Sequence, residues 1–311
     1  MRLIFLGTPA FAVPTLDAVA RMHDVISVIT QPDRPKGRGQ ELAASPVKRA
    51  AERLGLPVYQ PERIRRPEAQ AHLNDLAPEI MVVVGYGQII PQSVIDIPPR
   101  GVVNVHASLL PKYRGAAPVQ WAIVNGETST GVTTMQINAG LDTGDILLKR
   151  KTEIGLEETA LELGERLAVM GAELLIETLD GLVRGAIAAQ RQDDAQASYA
   201  PILKKEDGAI SWSASAGAIH NRVRGLLPWP GACTRFRGQL LHVWRARVGP
   251  DRTALAKGGV IAGPGFRVAC GDGRVLELLE VQMEGRKRMS GEAFANGQHL
   301  SEKDMLGEQP K

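Results

Sequence analysis

The first half of the chain alternates short apolar runs with segments whose apolar residues recur at helical spacing. Ile80–Val84 is continuously apolar, which is typical of a strand buried on both faces of a parallel sheet. Ser45 before Pro46 predicts a helix start, because serine caps free amides and proline suits the first turn. The predicted strands are Leu3–Leu6, Val25–Thr30, Ile80–Val84 and Val102–Val105, and the predicted helices are Pro14–Arg21, Pro46–Leu54 and Glu157–Leu182. This alternation predicts an α/β fold with an open, mostly parallel, Rossmann-like sheet.

The pattern changes after about residue 188. The stretch 190–208 is polar and has no apolar period, which is typical of a linker. The elements predicted beyond it are a helix at Ala216–Gly225 and strands at Cys233–Phe236, Leu240–Val248, Phe266–Ala269 and Val275–Val281, paired across glycine-containing turns. We therefore predict an α/β domain over 1–188, a linker over 189–206 and a small C-terminal β-barrel, OB-like, over 207–311.

The amino-acid composition indicates the class of protein and its cellular compartment. A chain of 311 residues with 44% hydrophobic and 23% charged residues suits two globular domains. Two cysteines argue against a disulfide framework and a cysteine zinc site. The apolar run Leu3–Leu6 is too short for a signal peptide, and no apolar stretch is long enough to cross a bilayer. We therefore expect a cytoplasmic protein.

The charge of +3 is unevenly distributed. Residues 207–290 contain 13 Lys and Arg against 6 Asp and Glu, a formal charge of +7, which leaves −4 for the remainder. A basic second domain suits contact with phosphate groups.

Asn104 and His106 occupy alternate positions of a predicted strand, so their side chains project from one face. In an open α/β sheet, ligands bind beyond the carboxyl ends of the strands. An amide and a protonated imidazole could stabilise an oxyanion there, with a carboxylate to orient the imidazole and accept a proton, which is acyl-transfer chemistry. The alternative is that both side chains satisfy local turn hydrogen bonds.

Asp142 is the candidate carboxylate, in the segment Asn138–Asp145. Gly140 and Gly144 bracket it, which predicts a sharp bend that could press Asp142 into a site. The alternative is an Asx-type turn. Too few carboxylates surround it for a calcium loop, so we expect no metal.

Two further segments could contact ligands. Gly85, Tyr86 and Gly87 follow a buried strand, where glycines let a ligand lie against the backbone, but the fingerprints for dinucleotides and for Walker phosphate loops are absent. The segment Gln31–Gly39 predicts a long irregular loop with alternating basic residues. It is either a solvated charged loop or a contact for phosphates.

The segment Asn104–Pro118, which has the pattern N-x-H-x-S-L-L-P-x-x-R-G-A-A-P, resembles the signature of the folate-dependent formyltransferases. Leu141–Asp145 (LDTGD) resembles the second motif of that family. The segments FLGTP, QPDRPKGRG, SPVK and VVVGYG and the dipeptide WP extend the resemblance over essentially the whole chain. They are similar to members that act on aminoacylated tRNA. Ala107 departs from the motif, which often has glycine there.

The resemblance implies a formyltransferase fold and transfer of a formyl group from 10-formyltetrahydrofolate to the amino group of methionine on initiator tRNA. Asn104 and His106 would stabilise the oxyanion, and Asp142 would hold His106 and take up the proton of the amine. The residues implied at the folate are Ser108, Leu109, Leu110, Pro111, Gly85, Tyr86 and Gly87. The residues expected at the tRNA are Arg34, Lys36, Arg38, Lys204, Lys205, Arg286, Lys287 and Arg288, with Arg38 the foremost.

Two other functions remain open at this point. A formyltransferase that acts on a purine precursor or a sugar nucleotide would share the three catalytic residues. Only the basic loop and the charge of the second domain distinguish such an enzyme from one that acts on tRNA. A non-catalytic RNA-binding protein would not need oxyanion donors and would more often carry stacking aromatics, which are 4% of this chain. The chain shows no long exposed apolar stripe, so we expect a monomer.

Overall fold

The computed structural model describes residues 1–36 and 41–307. Its helices are α1 Val13–Met22, α2 Pro46–Arg53, α3 Pro67–Leu76, α4 Gln92–Ile95, α5 Pro118–Val124, α6 Ala160–Val183, α7 Ala216–Gly225 and α8 Gly291–Gln298. Three short 3₁₀ helices cover Ala10–Ala12, Asp194–Gln196 and Lys205–Gly208. None of the described helices combines the length and the apolarity needed to cross a bilayer.

The strands form two large sheets and two short pairs. They are β1 Arg2–Gly7, β2 Asp24–Ile29, β3 Arg34–Lys36, β4 Glu41–Ala43, β5 Val58–Tyr59, β6 Ile80–Val84, β7 Val102–His106, β8 Arg114–Gly115, β9 Ser129–Gln136, β10 Ile146–Glu153, β11 Tyr199–Ala200, β12 Ala232–Phe236, β13 Gln239–Arg252, β14 Val260–Ile261, β15 Arg267–Ala269, β16 Arg274–Met283 and β17 Met289–Ser290. The chain divides into two compact units. The first comprises Met1–Pro118, Ser129–Glu153 and Gly164–Ala200, and the second Val119–Thr128, Ile154–Leu163 and Pro201–Lys311.

The first unit contains a seven-stranded sheet in the order β10-β9-β7-β6-β1-β2-β5. The pairs β1/β2, β1/β6, β2/β5 and β6/β7 are parallel, and β7/β9 and β9/β10 are antiparallel. The predicted open, mostly parallel α/β sheet is therefore confirmed. Its central strands are apolar throughout because both faces are covered, as in β6, where all five residues are buried.

The strands β9 and β10 were not predicted. Five of the eight residues of β9 are Thr, Ser or Gly, so its buried interior does not resemble an apolar run. The buried hydroxyls are satisfied locally: Thr134 Oγ1 lies 2.8 Å from Thr178 Oγ1, and it accepts from the amide of Leu148 at 3.1 Å. Threonine suits a strand when its hydroxyl finds a partner, and hydrophobicity alone does not detect this.

The predicted basic loop is a hairpin where it is described. Strand β3 pairs antiparallel with β4, with Arg34 opposite Ala43. The prediction of a wholly irregular loop was therefore wrong, because alternating charged residues are compatible with an exposed edge strand. Arg34 is exposed and pairs with Glu62 at 3.1 Å, Lys36 lies at the end of β3, and Arg38 lies outside the described residues.

The polar stretch predicted as a linker contains ordered elements. Gln190 forms an antiparallel bridge with Ile146, and β11 pairs in parallel with β8. Residues up to Ala200 belong to the first unit, although their polar sequence has no period. Here polar side chains, and Gln192 above all, form hydrogen bonds inside the unit, which a search for apolar periods does not detect.

The second unit contains an antiparallel sheet in the order β12-β13-β16-β15-β14, with β17 on β16. Register shifts along β13 between Val243 and Arg252 mark bulges, which bend a strand and increase its twist. The sheet therefore curls into a half-barrel, which confirms the predicted small β-barrel class. Three phenylalanine rings lie together in its core, with Phe294 stacked on Phe266 at 5.2 Å and edge-on to Phe236 at 5.4 Å.

Candidate active site

Asn104 and His106 lie on β7, between β6 and β9. In the register, Asn104 is opposite Val83 on β6, and His106 is opposite Thr133 on β9. The two side chains are 8% and 6% exposed and, two residues apart, project from one face of the sheet as predicted. The sheet thus provides a rigid base for two polar groups that are almost withdrawn from water.

The imidazole of His106 is oriented by the backbone. Its Nε2 lies 2.9 Å from the carbonyl oxygen of Tyr113. A carbonyl can only accept a hydrogen bond, so Nε2 carries the hydrogen in this contact. Nδ1 faces Oδ2 of Asp142 at 3.6 Å, beyond hydrogen-bond length. In the neutral ring Nδ1 therefore holds a lone pair, and in the imidazolium it would present a second N–H donor.

Asp142 occupies a left-handed backbone conformation with φ of 51°. Its Oδ2 accepts a hydrogen bond from the amide of Gly115 at 2.8 Å. A glycine is required at position 144, two residues after Asp142, because a Cβ there would lie 1.7 Å from the carbonyl oxygen of Gln136. An Asx-type turn is also present, since Asn138 Oδ1 accepts from the amide of Gly140 at 3.0 Å. The turn shapes the segment and leaves the carboxylate of Asp142 directed at His106.

The Asn104 amide makes no hydrogen bond to any of the residues that the structure describes. A local turn interaction therefore explains the Nε2 contact of His106 but not the side chain of Asn104. The side chain is 8% exposed and its amide is not fully buried, so the amide can form a hydrogen bond with an incoming ligand oxygen.

Ser108–Pro111 is anchored to the sheet beside His106. Thr133 Oγ1 donates to the carbonyl of Ser108 at 2.7 Å and accepts from the amide of Leu110 at 3.1 Å. Ser108 and Leu110 are fully buried, with the Leu110 side chain in a small apolar cluster, whereas Leu109 and Pro111 are half-buried. Leu109 and Pro111 are therefore the side chains of this segment that a ligand could contact.

The turn Gly85–Gly87 leaves β6 with both glycines at positive φ, 58° and 85°. The Tyr86 side chain is 1% exposed, and burial raises the pKa of its hydroxyl. Its carbonyl already accepts from Thr8 Oγ1 at 2.9 Å and from Gln31 Nε2 at 3.1 Å. The backbone groups still available to a flat ring in this turn are therefore those of the two glycines.

The other basic residues expected at the tRNA belong to the second unit. Lys204 and Lys205 are exposed, at the start of the 3₁₀ helix Lys205–Gly208. Arg286, Lys287 and Arg288 form the exposed turn between β16 and β17. The guanidinium carbon of Arg288 lies 4.0 Å from the ring centre of Trp244, so this turn combines a cation with an aromatic face.

Two residues behind the site had no assigned role. Gln192 is 5% exposed and donates to the carbonyls of Asp142 and Gly144, at 2.8 and 2.7 Å. Arg114 is 2% exposed and donates to Gln192 Oε1. No local sequence signal around Gln192 predicts a role for it. Arg114 lies within the formyltransferase motif, so the sequence could have indicated a role for that residue. Among the described residues, no group of three or more His, Cys, Asp or Glu could hold a metal ion.

Comparison with known proteins agrees with this geometry. Residues 1–179 match the formyl transferase family model, and residues 202–299 match that of the formyl transferase C-terminal domain. The chain is 65% identical over 309 residues to a methionyl-tRNA formyltransferase of Solibacter usitatus, with 99% of both chains covered. It is 55% identical over 310 residues to one of Koribacter versatilis, again with 99% of both chains covered.

Among solved structures, an N-formyltransferase of Helicobacter canadensis in complex with folinic acid and dTDP-3-aminofucose has a TM-score of 0.70 and 19% identity, covering 90% of this chain and 98% of that one. A sugar 3-N-formyltransferase with dTDP and 5-N-formyltetrahydrofolate has a TM-score of 0.68 and 17% identity, covering 92% and 99%. At these identities the likeness shows the fold alone.

The parallel sheet, the paired donors on β7 and the facing carboxylate define a transferase of the formyltransferase class. Within that class, full-length identity to the curated relatives is decisive. The chain belongs to the methionyl-tRNA formyltransferase family.

Proposed function

We propose that this chain transfers the formyl group of 10-formyltetrahydrofolate to the amino group of methionyl-initiator tRNA, for translation initiation, as a cytoplasmic monomer. Catalysis would reside in 1–188 and tRNA binding largely in 207–311, joined by 189–206. The observation that carries the proposal is the amide of Asn104, which makes no hydrogen bond within the described part of the chain and shares a strand face with His106, whose Nδ1 faces Asp142.

Asn104 and His106 would act as the oxyanion donors. Acyl transfer builds negative charge on the formyl oxygen, and preorganised donors in a site shielded from water stabilise that charge. Asn104 has a free amide to donate, and His106 protonated at Nδ1 would donate its second N–H. Because the protein already holds both side chains, the donors need little reorganisation during the reaction.

Asp142 would serve as the proton acceptor. The attacking amine must lose a proton, and a carboxylate within reach can take it directly or through one water. The same carboxylate lies 3.6 Å from His106 Nδ1. The amide of Gly115 keeps one carboxylate oxygen in place.

The folate supplies the formyl group when it is bound. The exposed glycines of the Gly85–Gly87 turn and the half-buried Leu109 and Pro111 fit a flat ring with a polar edge. Gly87 has the room, since a Cβ there would meet only Gln31 Nε2, at 3.8 Å. The residues present therefore suit the donor, with Ser108 and Leu110 shaping the backbone of the site.

Initiator tRNA is favoured over a sugar nucleotide by two observations. The relatives with full-length identity of 48–65% are methionyl-tRNA formyltransferases. The excess of basic residues in 207–290 and the hairpin that carries Arg34 and Lys36 suit phosphate contacts.

Formylation assays with the purified protein test the proposal. With 10-formyltetrahydrofolate we expect formylmethionine from methionyl-initiator tRNA and none from uncharged tRNA. Methionyl-elongator tRNA and a dTDP-linked amino sugar serve as competing substrates, and Asp142→Asn as a control whose rate should be much lower but still measurable. Absence of formylmethionine at saturating donor, or faster formylation of the amino sugar, would contradict the proposal.

A further inference from the structure

Gln192 braces the segment that carries Asp142. Its carboxamide is buried, and Nε2 donates to the carbonyl oxygen of Asp142 at 2.8 Å and to that of Gly144 at 2.7 Å. The NH₂ group has two hydrogens, and both are directed at this one turn. A single side chain from a distant part of the sequence thereby holds the backbone on both sides of Thr143.

Arg114 fixes the orientation of that carboxamide. Its Nε and Nη2 donate to Gln192 Oε1, at 3.1 and 2.7 Å. A guanidinium has no acceptor, so the oxygen of Gln192 must face Arg114 and the NH₂ group must face the turn. Arg114 is buried, and its charge is balanced by Asp194 at 2.8 Å, which is largely exposed.

The same short strand also reaches the carboxylate. Gly115 follows Arg114 on β8 and donates its amide to Asp142 Oδ2 at 2.8 Å. Asp142 is thus held at its backbone by Gln192 and at its side chain by β8. A non-glycine residue at φ of 51° is in a sparsely populated conformation, and it persists only where its surroundings enforce it.

We propose that Gln192 is a positioning residue for the formyl transfer, with Arg114 as the group that orients it. This inference rests on the proposed function, because it assumes that Asp142 is the reacting carboxylate. Gln192 keeps that carboxylate 3.6 Å from His106 Nδ1 and contacts no substrate itself. Its loss should therefore lower kcat and leave substrate binding nearly unchanged.

Gln192→Met, which keeps the length and removes the amide, tests this proposal. A misplacement of about 1 Å can cost about 10²-fold in rate, so we expect kcat to fall about 10- to 100-fold. The KM values for both substrates should stay within about threefold. Gln196→Met is the matched control, because Gln196 is exposed in the same segment and bonds to Asp193; it should behave as wild type.

A double-mutant cycle separates positioning from a merely structural role. In the Asp142→Asn background no carboxylate remains to be positioned, so Gln192→Met should cost less than about threefold there. A general loss of structure would cost the same factor in both backgrounds. Equal factors, or a folded Gln192→Met enzyme with unchanged kcat, would overturn the proposal.

Hydrogen exchange gives a readout that needs no activity. We expect faster exchange over residues 138–145 in Gln192→Met than in wild type, and unchanged exchange in Gln196→Met. Should Gln192→Met not fold, Gln192→Asn retains the amide with a shorter reach, and the same comparisons apply to it. If the wild type fails to formylate methionyl-tRNA, the proposed function is wrong, whereas unchanged exchange and kcat in a variant contradict only the role of Gln192.

Discussion

The carboxylate of Asp142 lies 3.6 Å from Nδ1 of His106, which is too far for a hydrogen bond. The other ring nitrogen is engaged by the carbonyl of Tyr113. The geometry therefore leaves Nδ1 without a committed partner, beside a carboxylate that the amide of Gly115 already holds. An approaching substrate could interact with both groups without breaking a hydrogen bond of the imidazole.

Asn104→Ala should impair catalysis and leave stability almost unchanged. Removal of one oxyanion donor typically costs about 10²–10³ in turnover, and this amide has no partner to lose among the described residues. We expect kcat to fall by that factor with little change in either KM. A thermal unfolding midpoint several degrees lower, or an effect confined to KM, would contradict the assignment.

Gly144→Ala should displace the turn that carries Asp142. The new Cβ would lie 1.7 Å from the carbonyl of Gln136, so the backbone must move, at a cost of about 1–3 kcal/mol. Urea unfolding measures the stability and the formylation assay the activity, and both should fall. Gly164→Ala is the matched control: it lies inside α6 with nothing within 4 Å of its Cβ position, and it should gain about 1 kcal/mol at full activity.

Arg38→Ala should raise the KM for methionyl-tRNA and leave kcat nearly unchanged, because the expected role of Arg38 is to bind the tRNA through its phosphate groups. The effect should diminish as salt increases, since phosphate contacts release counterions. Arg184→Ala, which removes an exposed arginine that follows α6, is the control for net charge. Unchanged tRNA kinetics of Arg38→Ala at physiological salt would contradict the assignment of the basic segment Gln31–Gly39 to tRNA binding.

Ser45→Ala should destabilise the first unit. Ser45 Oγ accepts from the amide of Lys48 at 3.0 Å and shares a hydrogen bond with Thr30 Oγ1 at 2.8 Å. Loss of such a cap costs about 1 kcal/mol, and the buried hydroxyl of Thr30 adds to it. Ser290→Ala, which removes only the exposed cap of α8, should cost less. Equal losses in urea unfolding would show that the contact with Thr30 adds nothing.

His23 should make stability depend on pH in the mildly acidic range. Burial, and secondarily the N-terminal amine, lower the pKa of His23 below its usual 6.5 against the opposing effect of Asp180. His23 binds a proton more readily in the unfolded chain than in the folded one. The contribution of the neutral His23 to the free energy of unfolding is therefore complete above about pH 6.5 and is lost as the pH falls towards the folded pKa. Urea unfolding of His23→Gln between about pH 7 and 5.5 should show a shallower decline than wild type. Parallel declines would contradict it.

Short-range sequence signals predicted several elements of this chain correctly. Ile80–Val84 begins and ends where its apolar run does, and Ser45 caps α2 as its hydroxyl and the following proline predict. The candidate residues Asn104, His106 and Asp142 were predicted from alternation, flanking glycines and a motif. Strand β9 was missed because buried threonines look polar until their hydroxyl partners are known.

The sequence alone determined the properties that depend on neighbouring residues. These are the apolar runs, the helix caps, the turns, and the two polar groups that lie two residues apart on one strand. The sequence could not show that Asp142 faces His106, that the carbonyl of Tyr113 occupies Nε2, or that Gln192 holds the turn from behind. Those relations join segments far apart in the chain. Only the tertiary fold decides them, because a polar side chain finds its partner by position in space, and no periodicity along the chain records that position.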